Sequence, residues 1–350
     1  MSTQPSLALR QNIESLAEKI VDLLYAQQPE YWLKHAAAGR VKSVRDAGYH
    51  LTYLAEALDA NDHRLFSQYL AWVKVLFANL QFSERVLPET IQCTRQVILQ
   101  NLPEEVSVPI LQILDTSIQE LQFVPIILPE FINDQEPFGR LARQYLDYML
   151  NGDRRAASTL VIDSVKNGVA VKDIYRHVFQ PCQRELGRLW QTNHISVAQE
   201  HYCTAVTQLV MSQLYPSIFS GQRVDRRIVM ACVGGELHEI GARMVADFFE
   251  MEGWDTYYLG ANNTPGSVVR TVEERRADVL ALSATMTFHI SKVTEIINLL
   301  RSHPRVSRTI VLVGGYPFNI SPGLWQHIGA DGYAVDADTA VAEVQKLLPA

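Results

Sequence analysis

The period at which hydrophobic side chains recur divides the 350-residue chain into three stretches. Over residues 1 to about 132 it is helical. Leu16, Ile20, Leu23 and Leu24 share one face, as do Tyr49, Tyr53, Leu54 and Leu58. Asp62 reads as a cap opening a helix from His63 to Leu80, with Phe66, Tyr69, Leu70, Val73 and Phe77 turned inward. Pro88 fits the first turn of another helix, which Asn101-Leu-Pro103 closes. Five or six such helices predict an all-α domain. Three prolines and Asn133-Asp134 between Pro125 and Pro137 predict a linker.

From Phe138 to Ser220 the pattern is helical again, in pieces near 138–150, 153–167, 171–191 and 195–219. Short polar turns join them, so neighbouring helices must run antiparallel, and a four-helix bundle over 138–220 is expected. After Arg227 the period changes once more. Ile228 to Val233 is a continuous apolar run, as a strand buried on both faces requires. Strands at Asp255–Leu259, Asp278–Leu282, Thr309–Val313 and Gly332–Val335 then alternate with helices. This predicts a Rossmann-like, doubly wound parallel sheet over 225–350, with ligands bound beyond the carboxyl ends of its strands.

Composition narrows the function. Hydrophobic residues make up 47% and charged residues 20%, enough apolar material for real cores. No apolar run nears the roughly 20 residues a membrane span needs, and no cationic leader opens the chain, so a cytoplasmic protein is expected. Cys93, Cys182, Cys203 and Cys232 form no paired spacing, which fits reduced thiols. A net charge of -7 offers no global field for nucleic acid. The densest basic cluster, Gln222 to Arg227, reads as a solvated linker.

The chemistry sits beyond the first strand, in Val233-Gly-Gly-Glu236-Leu-His238-Glu-Ile-Gly241. It is not the GxGxxG of a dinucleotide loop. It resembles the DxHxxG signature of cobalamin-binding domains, with Glu236 in place of the usual Asp. The resemblance implies that His238 coordinates cobalt from below while Glu236 holds its other ring nitrogen. Ser283-Ala-Thr285 resembles the family's SxL or SxT element, whose small hydroxyls line the slot for the cofactor's nucleotide tail. Gly314-Gly315 stands where the family's glycines make room for that tail.

The bundle carries Trp190 at one helix end and Glu200-His201 in the next helix. In itself this is a core Trp beside a solvated pair. With the cobalamin motif it resembles the W…EH element of CarH-type cobalamin photoreceptors. That resemblance implies that Trp190 shields a 5'-deoxyadenosyl group, that Glu200 accepts hydrogen bonds from it, and that His201 sits near the upper face. It implies adenosylcobalamin, light-driven cleavage of the Co–C bond, a light-dependent homo-oligomer and an unknown downstream protein, rather than an enzyme. The chain departs from the type in two ways. It shows no DNA-reading helix-turn-helix, and it has no histidine between Tyr202 and Glu236 to capture cobalt afterwards, leaving His201, His194 or water. Two further readings stand beside this one: a corrinoid carrier of a methyltransferase system, and a cobalamin-dependent antirepressor of a transcription factor.

The aromatic-rich first domain, with Tyr31, Trp32, Tyr49 and Trp72 among its rings, could be a dimerisation module. It also looks like a globin-like sensor. Paired with a cobalamin domain, it resembles photocobilins, which implies biliverdin as a second chromophore, held by His50, Tyr53 and Arg45 or Arg40. Cys93 as a covalent anchor and haem on His35 or His50 complete the options.

Overall fold

A computed structural model describes residues 4–27, 29, 32, 36–219 and 222–348. The chain forms two compact units, Met1–Ile127 and Leu128–Ala350. Tyr31 and His35 lie outside the described residues.

In the first unit the described helices are α1 (Pro5–Gln11), α2 (Ile13–Gln27), α3 (Ala36–Asp59), α4 (Arg64–Asn79), α5 (Val86–Asn101) and α6 (Glu104–Leu121). Leu16, Ile20, Leu51, Leu54, Phe66, Leu70 and Leu114 fill its core. The expected cap acts at α4: the Asp62 carboxylate accepts the Arg64 N–H at 3.0 Å. Of the expected face on α3, Tyr53 and Leu54 are buried while Tyr49 is 47% exposed; Ala47, His50 and Leu51 extend the buried stripe instead.

The boundary between the units falls inside the segment expected to be a linker, which is irregular and mostly exposed but anchored at two points. Ile132 is buried in the core of the second unit, and the Phe131 N–H donates to the buried Glu185 carboxylate at 3.0 Å. Then come α7 (Gly139–Leu150), α8 (Arg154–Lys166), α9 (Val171–Ile174), a π-helical turn at Tyr175–Phe179, α10 (Gln180–Gln191), α11 (Val197–Gln213) and α12 (Tyr215–Ile218). Asp153 caps α8. Ser196 and Gln199 close a capping box that starts α11 and so fixes where Glu200 and His201 emerge. Tyr145, Phe179, Leu186, Val206 and Val210 form the apolar seam of the bundle.

The sheet comprises β1 (Arg227–Cys232), β2 (Asp255–Tyr258), β3 (Val279–Ser283), β4 (Ile310–Gly314) and β5 (Gly332–Ala334). All pairings are parallel, in the order β2-β1-β3-β4-β5. The intervening helices are α13 (Ile240–Met251), α14 (Pro265–Arg275), α15 (Ile290–Ser302), α16 (Tyr316–Ile320) and α17 (Leu324–His327), with α18 (Ala337–Leu347) last. The expected fold is thus the observed one. The basic cluster before β1 is solvent-exposed, as expected, and also ion-paired: Arg223, 61% exposed, lies 3.3 Å from Glu250, and Arg226 lies 3.3 Å from Asp278. No helix among the described residues is long and apolar enough to cross a membrane.

The bundle is fastened to the sheet through α13 and α18. Tyr175 Oη donates to Asp247 Oδ2 at 2.7 Å, while Lys172 pairs with Glu252 and Arg176 with Asp338. Burial pushes Asp247 up to about 6, against the pull of Tyr175 and Arg243. The folded form therefore holds this proton more tightly than the unfolded chain. The resulting stabilisation is complete below about pH 4 and is lost as pH rises through about 6. Asp247→Asn keeps an acceptor for Tyr175 without the buried charge. We expect it to raise the melting temperature of this unit at pH 8 by about 5 °C, for about 1–3 kcal/mol. The gain should shrink to nothing near pH 4. Scanning calorimetry across pH checks this, and an Asn variant that is weaker at every pH would contradict it.

Candidate functional site

The turn after β1 is built around one carboxylate. Glu236 is wholly buried, although it sits in a loop. Its Oε1 accepts the His238 backbone N–H at 2.9 Å and the His238 ring Nδ1 at 2.6 Å. Its Oε2 accepts the N–H groups of Thr285 at 2.6 Å and Met286 at 3.1 Å, and His289 Nδ1 at 3.0 Å. Burial by itself would raise this carboxyl, but the two imidazoles and the His238 N–H outweigh it and hold the group below the usual carboxylate range. An acceptor-only group at Nδ1 places the proton of the neutral ring there, so Nε2 carries the lone pair.

That second nitrogen belongs to a side chain left 61% exposed. The bond from Glu236 raises the affinity of His238 for a proton, against burial, and Glu200 of α11 adds to the effect. The ring is thus anchored on one edge, electron-rich on the other, and within the field of a bundle carboxylate. This is the donor set of a metal-binding imidazole oriented by a carboxylate.

The three sequence motifs meet across the sheet. Cys232 is in register with Ser283, and Ser283 with Gly314, so the turns that follow lie side by side at the carboxyl ends of β1, β3 and β4. Ser283 is buried at the strand end. The Thr285 residue serves Glu236 through its backbone, a role its side-chain type does not reveal. Gly241, in the first turn of α13, has open space where a Cβ would stand. Gly315 has a reason of its own: at φ +110° its Cβ would stand 2.0 Å from the Ala284 carbonyl oxygen. The neighbouring backbone thus already demands the glycine that was expected to make room for a cofactor tail.

Above the loop, Trp190 packs against the core of the unit at the end of α10. Glu200 accepts from Thr204 Oγ1 at 2.9 Å and holds His201 Nδ1 at 2.6 Å. His201 itself is 74% exposed. His194 is bonded through Nδ1 to Thr192 Oγ1 at 2.9 Å. Further along α11, Gln208 donates to Glu239 Oε1 at 2.6 Å, and Tyr258 Oη donates to Glu239 Oε2 at 3.0 Å. Glu239 follows His238 directly, so the bundle grips the histidine loop itself. Sequence reasoning missed Glu239, Gln208 and His289. A titratable residue between Phe288 and Ile290 was the available signal for His289.

In the first unit, His50 Nδ1 is 2.8 Å from Tyr69 Oη, and the rings of Tyr53 and Tyr69 stack at 3.6 Å. Burial lowers His50 to about 4, so it is neutral at physiological pH. Arg45 does not join this cluster, because it lies exposed beside Asp46 at 3.8 Å. Arg40 pairs with Asp22 at 2.6 Å. The Cys93 thiol is buried and pushed up by that burial, the opposite of what a conjugating thiolate needs.

Comparisons agree with this geometry. A family model described as a B12 binding domain matches residues 226–344, and a second of the same description matches 141–215. The chain is 30% identical over 165 residues to the dimethylamine corrinoid protein of Methanosarcina barkeri, covering 47% of this chain and 74% of that protein. It is 33% identical over 122 residues to dimethylamine corrinoid protein 3 of Methanosarcina acetivorans, covering 35% of this chain and 56% of the relative, little more than half its length. The solved structure of the Methanosarcina barkeri monomethylamine corrinoid protein covers 61% of this chain with a TM-score of 0.55, and 100% of its own chain. At 19% identity that likeness is one of fold. The first unit lies outside both matched stretches. The cobalamin-binding domain expected from Glu236, His238 and the strand-end motifs is therefore present. The relatives named here are corrinoid proteins.

Proposed function

Because the chain belongs to the B12-binding corrinoid proteins, we propose that it holds a cobalamin between bundle and sheet, with His238 as the lower ligand to cobalt, and serves as a corrinoid carrier for a partner methyltransferase. The observation that carries the reading is His238, anchored at Nδ1 by a fully buried carboxylate and exposed on its other edge. Once bound, the corrinoid supplies a cobalt–carbon bond that can be made and broken. The chain's own residues do the rest. Glu236 fixes the ring and its basicity, Gln208 and Glu239 tie the bundle to the loop, and Trp190 and Glu200 cover the upper face.

A second reading is favoured by one specific feature. Glu200 and His201 form a polar pair on the covering helix, suited to the ribose and adenine of an adenosyl group and ill suited to an apolar methyl. In this reading the protein is a light sensor that uses adenosylcobalamin and changes its association on illumination, and an absorption spectrum taken after adding biliverdin tests the first unit for a second chromophore. One experiment separates the two. Protein loaded with adenosylcobalamin in the dark is run on gel filtration before and after green light. The carrier reading expects an unchanged mass. It also expects cofactor that has been chemically reduced to cob(I)alamin on the protein and methylated with labelled iodomethane, releasing iodide, to surrender its methyl group only when a methyltransferase and its nucleophilic acceptor are added. A light-dependent shift in mass would overturn it in favour of the sensor.

A further inference from the structure

We propose that Asn262, in the turn between β2 and α14, is a positioning residue for the cobalt ligand. It clamps the backbone of Gly235 and Glu236 and so sets the direction from which the Glu236 side chain reaches His238. This rests on the corrinoid reading above and adds to it a turn that lies outside all of the sequence motifs.

The loop that presents His238 leaves β1 through Val233, Gly234 and Gly235. Two successive glycines are a loose way to begin such a loop, because each has access to conformations closed to other residues. Gly235 takes one of these, at φ +84°. Glu236 must nonetheless start from a fixed point, since three side-chain torsions magnify any error in its Cα before the carboxylate reaches His238. The restraint comes from a neighbouring turn. Asn262 Oδ1 accepts the Gly235 N–H at 2.8 Å, and the Asn262 N–H donates to the Glu236 carbonyl at 3.0 Å. One residue thus grips the first donor and the last acceptor of the Gly235–Glu236 pair. The Glu236 N–H between them donates to the Val233 carbonyl at 3.0 Å, so the pair has little freedom left.

The clamp has a firm footing. Asn263, the next residue, donates both its N–H and its Nδ2 to the Cys232 carbonyl, each at 3.1 Å. Its Nδ2 also reaches the Gly260 carbonyl at 2.8 Å. The turn therefore stands on the last residue of β1, the strand from which the His238 loop departs. Asn262 itself is exposed, unlike Glu236, so replacing it opens no buried hole and acts on the loop alone.

Two reasons for an asparagine compete at this position. Its backbone is left-handed, at φ +55°, which asparagine tolerates better than most residues, and its side chain supplies an acceptor. Substitution separates them. Asn262→Gly keeps the backbone and its N–H but removes Oδ1, whereas Asn262→Asp keeps an acceptor.

The test uses the full chain loaded with cob(II)alamin and read by electron paramagnetic resonance, with natural-abundance or 15N-labelled histidine. Wild type should show cobalt lines split by one nitrogen whose pattern changes with the label. Asn262→Gly should bind cobalamin about tenfold more weakly, the low end for residues that orient a metal ligand, and lose part of that splitting. Asn262→Asp should keep the splitting and bind within about threefold of wild type. Without cofactor, both variants should melt within about 3 °C of wild type, as exposed substitutions do. A Gly variant with wild-type affinity and splitting would overturn the proposal, since only the left-handed backbone would then matter. So would an Asp variant as impaired as Gly, or a Gly variant whose binding falls only in step with its melting temperature. A wild type without label-sensitive splitting would overturn the His238 ligation itself, and the proposal with it.

Discussion

Replacing His238 by alanine should weaken cobalamin binding by about 100-fold or more while leaving the fold almost untouched. Groups that merely orient a metal ligand are worth about 10–100-fold in affinity, so the ligand itself should exceed that range. The side chain is 61% exposed, which keeps the cost to stability to about 1 kcal/mol. That cost is the loss of one of five hydrogen bonds to the buried Glu236. Equilibrium titration of cobalamin, with thermal melting of the same samples, checks both halves. Affinity within threefold of wild type would mean that the corrin is held without this bond.

Glu236→Gln should behave differently, losing stability and binding together. The carboxylate is an acceptor at both oxygens, and five donors converge on it from His238, Thr285, Met286 and His289. An amide must turn its NH2 toward one of these sets. It then leaves either the His238 pair or the Thr285–Met286–His289 set facing a donor, in a site with no access to water. Breaking a buried charged network in this way costs about 3 kcal/mol, or about 6–12 °C in melting temperature for a unit of this size. Glu236→Asp should fall between, since one methylene fewer cannot span both imidazoles. A Gln variant with wild-type melting would show that the five bonds are not coupled.

The contrast between the two histidines explains what could be read from the sequence. His238 lies two positions from its carboxylate, so the pair is visible as a spacing, and the strand before it announces itself as an unbroken apolar run from Ile228 to Val233. His289 is 53 positions from the same carboxylate, and only the pairing of β1 with β3 brings them together. Periodicity placed the bundle helices well because each buries a single stripe. It missed the π-helical turn at Tyr175–Phe179, since one extra residue in a turn leaves the stripe nearly intact. Proline content marked the segment that joins the units, but not its anchoring, because Ile132 and the N–H of Phe131 find partners on a bundle far away in sequence. Tyr49 was misplaced for a related reason: an aromatic ring looks buried by type, while the neighbours of α3 select Ala47 and Leu51 instead. In the first unit, the His50–Tyr53 spacing and the inward face of Tyr69 were legible separately, but their meeting was not, since Tyr69 arrives from α4.

Crystals of the protein grown with cobalamin, measured at the cobalt absorption edge, test the central claim most directly. The account predicts one anomalous peak, within bonding distance of His238 Nε2 and beneath α11. A cobalt peak placed elsewhere, or a corrin whose lower face is filled by its own base while His238 stays free, would contradict it.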